Sequence, residues 1–179
     1  MKNRSIILIT GPKHSGKTMC SRALEKMTGT EAFDLDEILE RQTGKTPRVL
    51  FNEGAEVFRK AETEALALAL SSVNPQIIAA GGGLIDNPEA LALVKGCDHI
   101  VTVYLDVSAE TAWQRIIAEG RELPPFLKTE NPKETHHHLH KRRAESYKAW
   151  ANITIDAENK TPEEIAQQIT LCVAGLAPV

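Results

Sequence analysis

The most restrictive stretch of the chain is Gly11-Pro12-Lys13-His14-Ser15-Gly16-Lys17-Thr18, which fits the pattern G-x-x-x-x-G-K-(S/T). Ser5-Ile6-Ile7-Leu8-Ile9-Thr10 precedes it, a short apolar run rich in β-branched side chains, as in a buried strand. Thr18 to Thr28 follows and reads as a helix stopped by Gly29. Strand, glycine-punctuated loop and helix form the setting in which this pattern cradles phosphate. Backbone N–H groups along the loop and the N-terminus of the helix aim partial positive charge at one point. Gly11 and Gly16 permit the tight turn, Lys17 reaches toward outer phosphates, and the Thr18 hydroxyl is a candidate Mg²⁺ ligand. The loop running from Gly11 through Pro12, Lys13, His14, Ser15 and Gly16 to Thr18 is therefore expected to bind a nucleoside triphosphate.

The rest of the chain frames that loop. Its 179 residues suffice for one domain, 1–179, with a core of its own. Hydrophobic residues at 42% and charged residues at 25% give an ordinary globular balance, with no apolar run of membrane-spanning length. A formal net charge of −3 offers no general attraction to nucleic acid or to an anionic membrane. Met1-Lys2-Asn3-Arg4 leads straight into the first strand and leaves no room for a signal peptide, so a cytoplasmic location is expected. Cys20, Cys97 and Cys172 are odd in number and far apart, which suits small buried hydrophobes in a reducing compartment.

Along the chain, Glu31-Ala32-Phe33 is a short extended stretch that delivers Asp34-Leu35-Asp36. On an extended backbone the two carboxylates share a face and suit metal and substrate binding, while Asp36 can equally cap a helix beginning at Glu37. After a break at Gly44 to Pro47, Ala55 to Ser71 forms a helix with Phe58, Ala61, Ala65 and Leu68 on one stripe. Arg59 and Glu62, three apart, are placed to pair on the neighbouring face. Pro75 and Gln76 open a buried strand, Ile77 to Ala80, that ends in Gly81-Gly82-Gly83, a triplet that argues for close backbone approach. Asn87-Pro88-Glu89 starts the next helix and Gly96 stops it. His99 to Leu105 is a further strand, and Ser108 caps a helix that runs to about Gly120 and carries Trp113 and Arg115. Arg121 to Pro132 has three prolines and no periodicity, the mark of a functional or moving loop. Pro132 to Trp150 is a polar helix holding His136-His137-His138 and His140; a solvated face is expected there and a zinc site is disfavoured. Asn152 to Asp156 is a last strand, and Thr161-Pro162-Glu163-Glu164 a capping box. Strands alternating with helices give an α/β sheet, mainly parallel.

In these motifs and their order the chain resembles the shikimate kinase family of small-molecule P-loop kinases, from Ile6 to Ile169. That likeness implies a single domain with a five-stranded, mainly parallel sheet flanked by helices. It also implies a mobile lid at approximately 121–132 and a substrate-binding helical segment at approximately 37–63. It implies ATP-dependent phosphorylation of shikimate at its 3-hydroxyl, a step toward chorismate and the aromatic amino acids, by a cytoplasmic monomer using Mg²⁺. Asp34 and Thr18 would serve the metal, Asp36 would bind and deprotonate the hydroxyl, and Lys17 and Arg121 would neutralise the transferred group. Phe58-Arg59 with Glu62 resembles F-R-x-x-E, and Arg143 before Tyr147 resembles R-x-x-x-Y; these arginines would grip the acceptor carboxylate. Gly81, Gly82 and Gly83 would floor the pocket, and Arg115 would lie against adenine. Two departures stand out. His14 replaces a glycine usual in the loop, and Arg121-Glu122-Leu123-Pro124-Pro125-Phe126-Leu127 replaces R-P-L-L in the lid.

Rival readings are a gluconate-type or nucleoside monophosphate kinase, a GTP-binding switch, a nucleic-acid-dependent ATPase and a non-catalytic nucleotide-binding regulator. The switch would need N-K-x-D, but Asn159-Lys160 is followed by Thr161-Pro162. Lys141-Arg142-Arg143 is too small a basic cluster for a nucleic-acid footprint.

Overall fold

The apolar run before the phosphate loop forms β1 (Ile6–Thr10), and its alternating side chains feed two separate cores. In this computed structural model residues 6–71 and 76–176 are described; the lead-in Met1 to Arg4 and the strand positions assigned to Ser5 and Pro75 lie outside them. After β1 come α1 (Lys17–Thr28), β2 (Ala32–Asp34), α2 (Leu35–Thr43), α3 (Pro47–Glu53), α4 (Ala55–Leu70) and β3 (Ile77–Ala79). Then follow α5 (Pro88–Lys95), β4 (Ile100–Asp106), α6 (Ala109–Ala118), α7 (Pro132–Trp150), β5 (Ile153–Asp156) and α8 (Pro162–Leu176). Single turns of 3₁₀ helix lie at Leu84–Asp86 and Pro125–Leu127.

The five strands stand in the order β2-β3-β1-β4-β5, and every pairing is parallel. The expected mainly parallel sheet is thus parallel throughout. Leu8 packs with Leu35, Leu39, Leu66 and Ile78 on one face, and Ile9 with Leu24, Val103, Ile165 and Ile169 on the other. Each such side chain contributes about 1.5–3 kcal/mol by leaving water. Central strands buried on both faces need the continuous apolar runs seen in β1 and β4, whereas edge strand β5 alternates Ile153 and Ile155 inward with Thr154 and Asp156 outward.

Helix ends follow the sequence signals. Asn87 and Ser108 cap α5 and α6, and Thr161 with Glu164 closes a reciprocal box, Thr161 N–H to Glu164 at 2.7 Å and Glu164 N–H to Thr161 at 3.2 Å. Helix α1 differs. Gly16 precedes it at φ 95° with no side-chain cap and no acidic residue in the first turn, so its N-terminal donors and dipole stay free for an anion.

Several expectations need correcting. Leu35 is already helical: Asp34, not Asp36, is the cap of α2, its carboxylate accepting the Asp36 N–H at 3.0 Å. Helix α3 was not anticipated, although Thr46 caps it and Pro47 stands at its first position. Leu68 is exposed, and the buried stripe of α4 is Ala61, Glu62, Ala65, Leu66 and Ala69. Of the cysteines only Cys20 is buried; Cys97 is partly covered and Cys172 is exposed. His136 and His140 are buried, because α7 packs that face against α6 and β4 instead of solvating it.

Candidate active site

Strand β1 lies between β3 and β4, so its carboxyl end opens a crevice where neighbouring connections diverge, the usual ligand position in such sheets. The Gly11–Thr18 loop fills it. Gly11 takes φ 151°, and a Cβ there would stand 2.7 Å from Ser15 Oγ and 2.8 Å from the Leu105 carbonyl, so only glycine fits. Lys17 Nζ folds back to donate to the Gly11 and Pro12 carbonyls at 3.0 and 2.8 Å. Burial pulls its pKa down to about 8 despite the opposing Asp36 and Asp34 carboxylates. Ser15 Oγ is buried without a hydrogen-bond partner, which a phosphate oxygen would supply. Thr18 Oγ1 donates to Asp34 Oδ2 at 2.7 Å. A hydroxyl beside a carboxylate is a hard oxygen set that fits Mg²⁺.

His14 occupies a left-handed backbone, φ 62°, which accounts for glycine being usual at this position. Arg115 Nη1 donates to the His14 carbonyl at 3.0 Å, and His14 Nε2 lies 3.2 Å from Glu119 Oε2. Burial lowers the His14 pKa, against the pull of Glu119. Arg121 is strongly exposed and lies 3.5 Å from the same Glu119.

The glycine triplet joins the two sides of the cleft. A Cβ on Gly81 would stand 3.1 Å from Glu62 Oε1 and 3.6 Å from Asp36 Oδ1. One on Gly82 would stand 2.9 Å from Lys13 N, and one on Gly83 would stand 3.3 Å from Arg143 Nη2. Three successive backbone positions therefore touch α4, α2, the phosphate loop and α7. Glu62 is 2% exposed. Its Oε2 accepts from Asn87 Nδ2 at 3.0 Å while Oε1 has no partner, and burial, outweighing that hydrogen bond, pushes its pKa up to about 7. Asp36 is reachable by solvent from the cleft, yet protein crowds its carboxyl; that burial, with Asp34 beside it, raises its pKa to about 6.

Arg59 does not pair with Glu62 as expected. Its guanidinium joins Glu56 on the half-exposed face of α4, and the inward-facing Glu62 takes Asn87 instead. Asn87 Nδ2 also donates to the Arg59 carbonyl at 2.9 Å. The preceding residue, Asp86, accepts from Arg143 Nε at 2.8 Å and from both terminal nitrogens of Arg142, at 2.6 and 3.0 Å. Burial alone would raise the Asp86 pKa, but the two guanidinium groups overcome it and hold the carboxyl below the usual range. Asp86 and Asn87 thus tie α4 to α7. Sequence reasoning treated Asn87 as a helix cap only and passed over Asp86, whose role depends on contacts across 56 and 57 positions.

Tyr147, stacked on Tyr104 at a centroid distance of 5.2 Å, accepts the Ile85 N–H at 3.3 Å and fixes α7 beneath Arg143. His136 and His140 line a small cavity with Pro12, Lys13, Arg143 and Tyr147. Burial, reinforced by His140, takes the His136 pKa down to about 4, so it is neutral at pH 7. Among the described residues no group of three or more His, Cys, Asp or Glu is arranged to hold a metal ion, and no helix is long and apolar enough to cross a membrane.

Comparison with known proteins agrees with this geometry. The shikimate kinase family model matches residues 13–174. The chain is 36% identical over 170 residues to the shikimate kinase of Thermobifida fusca (strain YX), covering 94% of this chain and 95% of that one. It is 34% identical over 172 residues to that of Salinispora arenicola (strain CNS-205), covering 95% and 98%. The shikimate kinase of Acinetobacter baumannii, solved in complex with shikimate, superposes with a TM-score of 0.86 at 31% identity over 97% of this chain and 96% of that chain. A phosphate-loop pattern at the switch point of a parallel sheet, together with these near full-length matches, places the chain in the shikimate kinase family of ATP-dependent phosphotransferases.

Proposed function

We propose that this chain transfers the terminal phosphoryl group of ATP to the 3-hydroxyl of shikimate, releasing shikimate 3-phosphate and ADP, as a cytoplasmic monomer. The observation that carries the acceptor assignment is the glycine triplet, whose successive positions lie against Glu62 and Asp36, the phosphate loop, and Arg143. A base, the phosphate site and a carboxylate-binding cation then fall on one short floor, which suits a small polyhydroxylated acid.

Phosphoryl transfer asks a protein mainly for alignment and charge stabilisation. Lys17 would shift from the Gly11 and Pro12 carbonyls to the outer phosphates, and Arg115 would lie against the adenine. Thr18 and Asp34 would hold Mg²⁺, which would supply positive charge against the phosphates. Asp36 would orient the acceptor hydroxyl and take its proton; a pKa of about 6 leaves it ionised at pH 7 yet not too weak a base. Arg59 and Arg143 would grip the carboxylate, with Glu62 and Asp86 fixing the backbone and guanidinium around them. Arg121 would swing from Glu119 to the transferred group as the lid, 121–132, closes over the acceptor held by segment 37–63.

The test is a coupled ADP-release assay offering shikimate, quinate, gluconate and nucleoside monophosphates in turn. Shikimate is expected to give the highest kcat/KM. Preference for gluconate or a nucleotide would overturn the assignment.

A further inference from the structure

Helix α3, the element that hydropathy did not announce, touches the lid, as α7 also does. Arg48, its second residue, donates from Nη1 to the Glu122 carbonyl at 3.2 Å and from Nη2 to the Leu123 carbonyl at 3.1 Å. The same Nη2 lies 2.5 Å from Glu122 Oε2, and Glu122 also pairs with Lys128. One turn further along α3, the Phe51 ring meets Phe126 of the lid edge-on at 6.1 Å and Phe58 of α4 at the same distance. Phe126 in turn lies 5.8 Å beneath the Arg143 guanidinium. A continuous set of contacts therefore runs from the lid through α3 to Phe58 and Arg59, and from the lid directly to Arg143.

The chemistry at Arg48 is selective. Glu122 and Leu123 lie outside any helix or strand, so their carbonyls need donors from elsewhere, whereas the Pro124 carbonyl takes the Leu127 N–H. A planar guanidinium spreads its donors over two terminal nitrogens in a fixed fork and so reaches two successive carbonyls and a carboxylate, whereas an ammonium gathers its three donors on one nitrogen at the end of a flexible stem. Arg121 immediately precedes Glu122, so whatever fixes Glu122 also fixes where the Arg121 side chain starts.

We propose that Arg48 is a positioning residue that ties the lid to the acceptor-binding helices, so that acceptor binding and lid closure occur as one event. The role presupposes the acceptor site proposed above. Without Arg48, the lid would keep, of these contacts, only those of Phe126 with Phe51 and Arg143, too few to carry Arg121 toward the phosphates as the acceptor arrives.

Wild type, Arg48→Ala, Arg48→Lys and Glu122→Gln would be compared by steady-state kinetics and by the rate of tryptic cleavage between Lys128 and Thr129, with and without shikimate. For Arg48→Ala, kcat/KM for shikimate is expected to fall about tenfold, while the Kd for ATP without acceptor stays within about twofold. Cleavage after Lys128 should accelerate several-fold, and shikimate should protect wild type but not this variant. Arg48→Lys should recover only part of the loss, and Glu122→Gln, which keeps both carbonyls, should fall between. Unchanged kcat/KM together with unchanged lid cleavage would overturn the role. So would an equal loss of ATP affinity, which would mark general damage in place of coupling. If wild type ignored shikimate, the acceptor reading would fall by itself; faster lid cleavage in acceptor-free Arg48→Ala would still support the latch.

Discussion

The phosphate side of the cleft is one continuous stretch, Gly11 to Thr18, while the proposed acceptor side gathers Asp36 from α2, Arg59 and Glu62 from α4, Gly81 to Gly83 after β3, and Arg143 from α7. The first side is made largely of backbone: a glycine turn, free N–H groups at the start of α1, and a lysine resting on two carbonyls. The second depends on side chains, two of them held by partners distant in sequence: Asp86 holds Arg143 and Asn87 holds Glu62. Local chain geometry is enough to bind phosphate. Recognition of one acceptor needs the whole sheet to bring four elements together.

Substitutions should therefore separate along this line. Lys17→Ala removes the cation proposed to meet the outer phosphates, and turnover should fall on the order of 10³-fold or more, with the melting temperature and acceptor KM little changed. Steady-state kinetics with near-normal turnover would break the phosphate side of the comparison. Asp36→Asn keeps the shape but loses the base, so kcat should fall about 10²–10⁴-fold with ATP binding intact. Wild-type kcat/KM should also drop as pH falls below about 6, where Asp36 gains its proton, and that limb should vanish in Asp36→Asn. Collapse of ATP affinity instead would move Asp36 to the phosphate side.

A smaller effect concerns stability. Glu62 titrates at about 7 when folded, against an ordinary 4.5, so the folded state favours its protonated form. Its contribution is fully present below the ordinary value and is lost as pH rises through about 7. Thermal denaturation of the ligand-free protein should show this decline, worth roughly 1–3 kcal/mol, and Glu62→Gln should flatten it. An unaltered slope in that variant would remove Glu62 as its source.

The same division governed what could be read from sequence. Strand β1, the phosphate loop and α1 are consecutive, so apolar patterning and glycine spacing identified them; caps at Asn87, Ser108 and Thr161 were equally local. The acceptor side was legible only through motif resemblance, and details that depend on packing escaped. Glu62 turned inward to Asn87 because the buried stripe of α4 runs through Ala61, Ala65 and Leu66, not through Leu68. A polar helix gives no sign of what packs against it, so sequence alone points His136 and His140 to solvent although both are buried. Asp86, Arg48 and Phe126 carry no local signal; their partners lie in other elements.

The central claim is that Arg59 and Arg143 converge on a single acceptor carboxylate, although each guanidinium rests on a separate internal carboxylate in this structure. The most direct test is a double-mutant cycle of Arg59→Lys and Arg143→Lys, assayed with shikimate and with its methyl ester. Each charge-assisted hydrogen bond contributes ~1.5–3 kcal/mol, so each variant should raise KM for shikimate about tenfold or more. KM for ATP should hold, and the double variant should show less than the summed effect because the ligand group is shared. The wild type should use the ester poorly, and neither variant should worsen it much further. If the wild type used the ester as well as the acid, no carboxylate would be gripped, and the acceptor side as described would be contradicted.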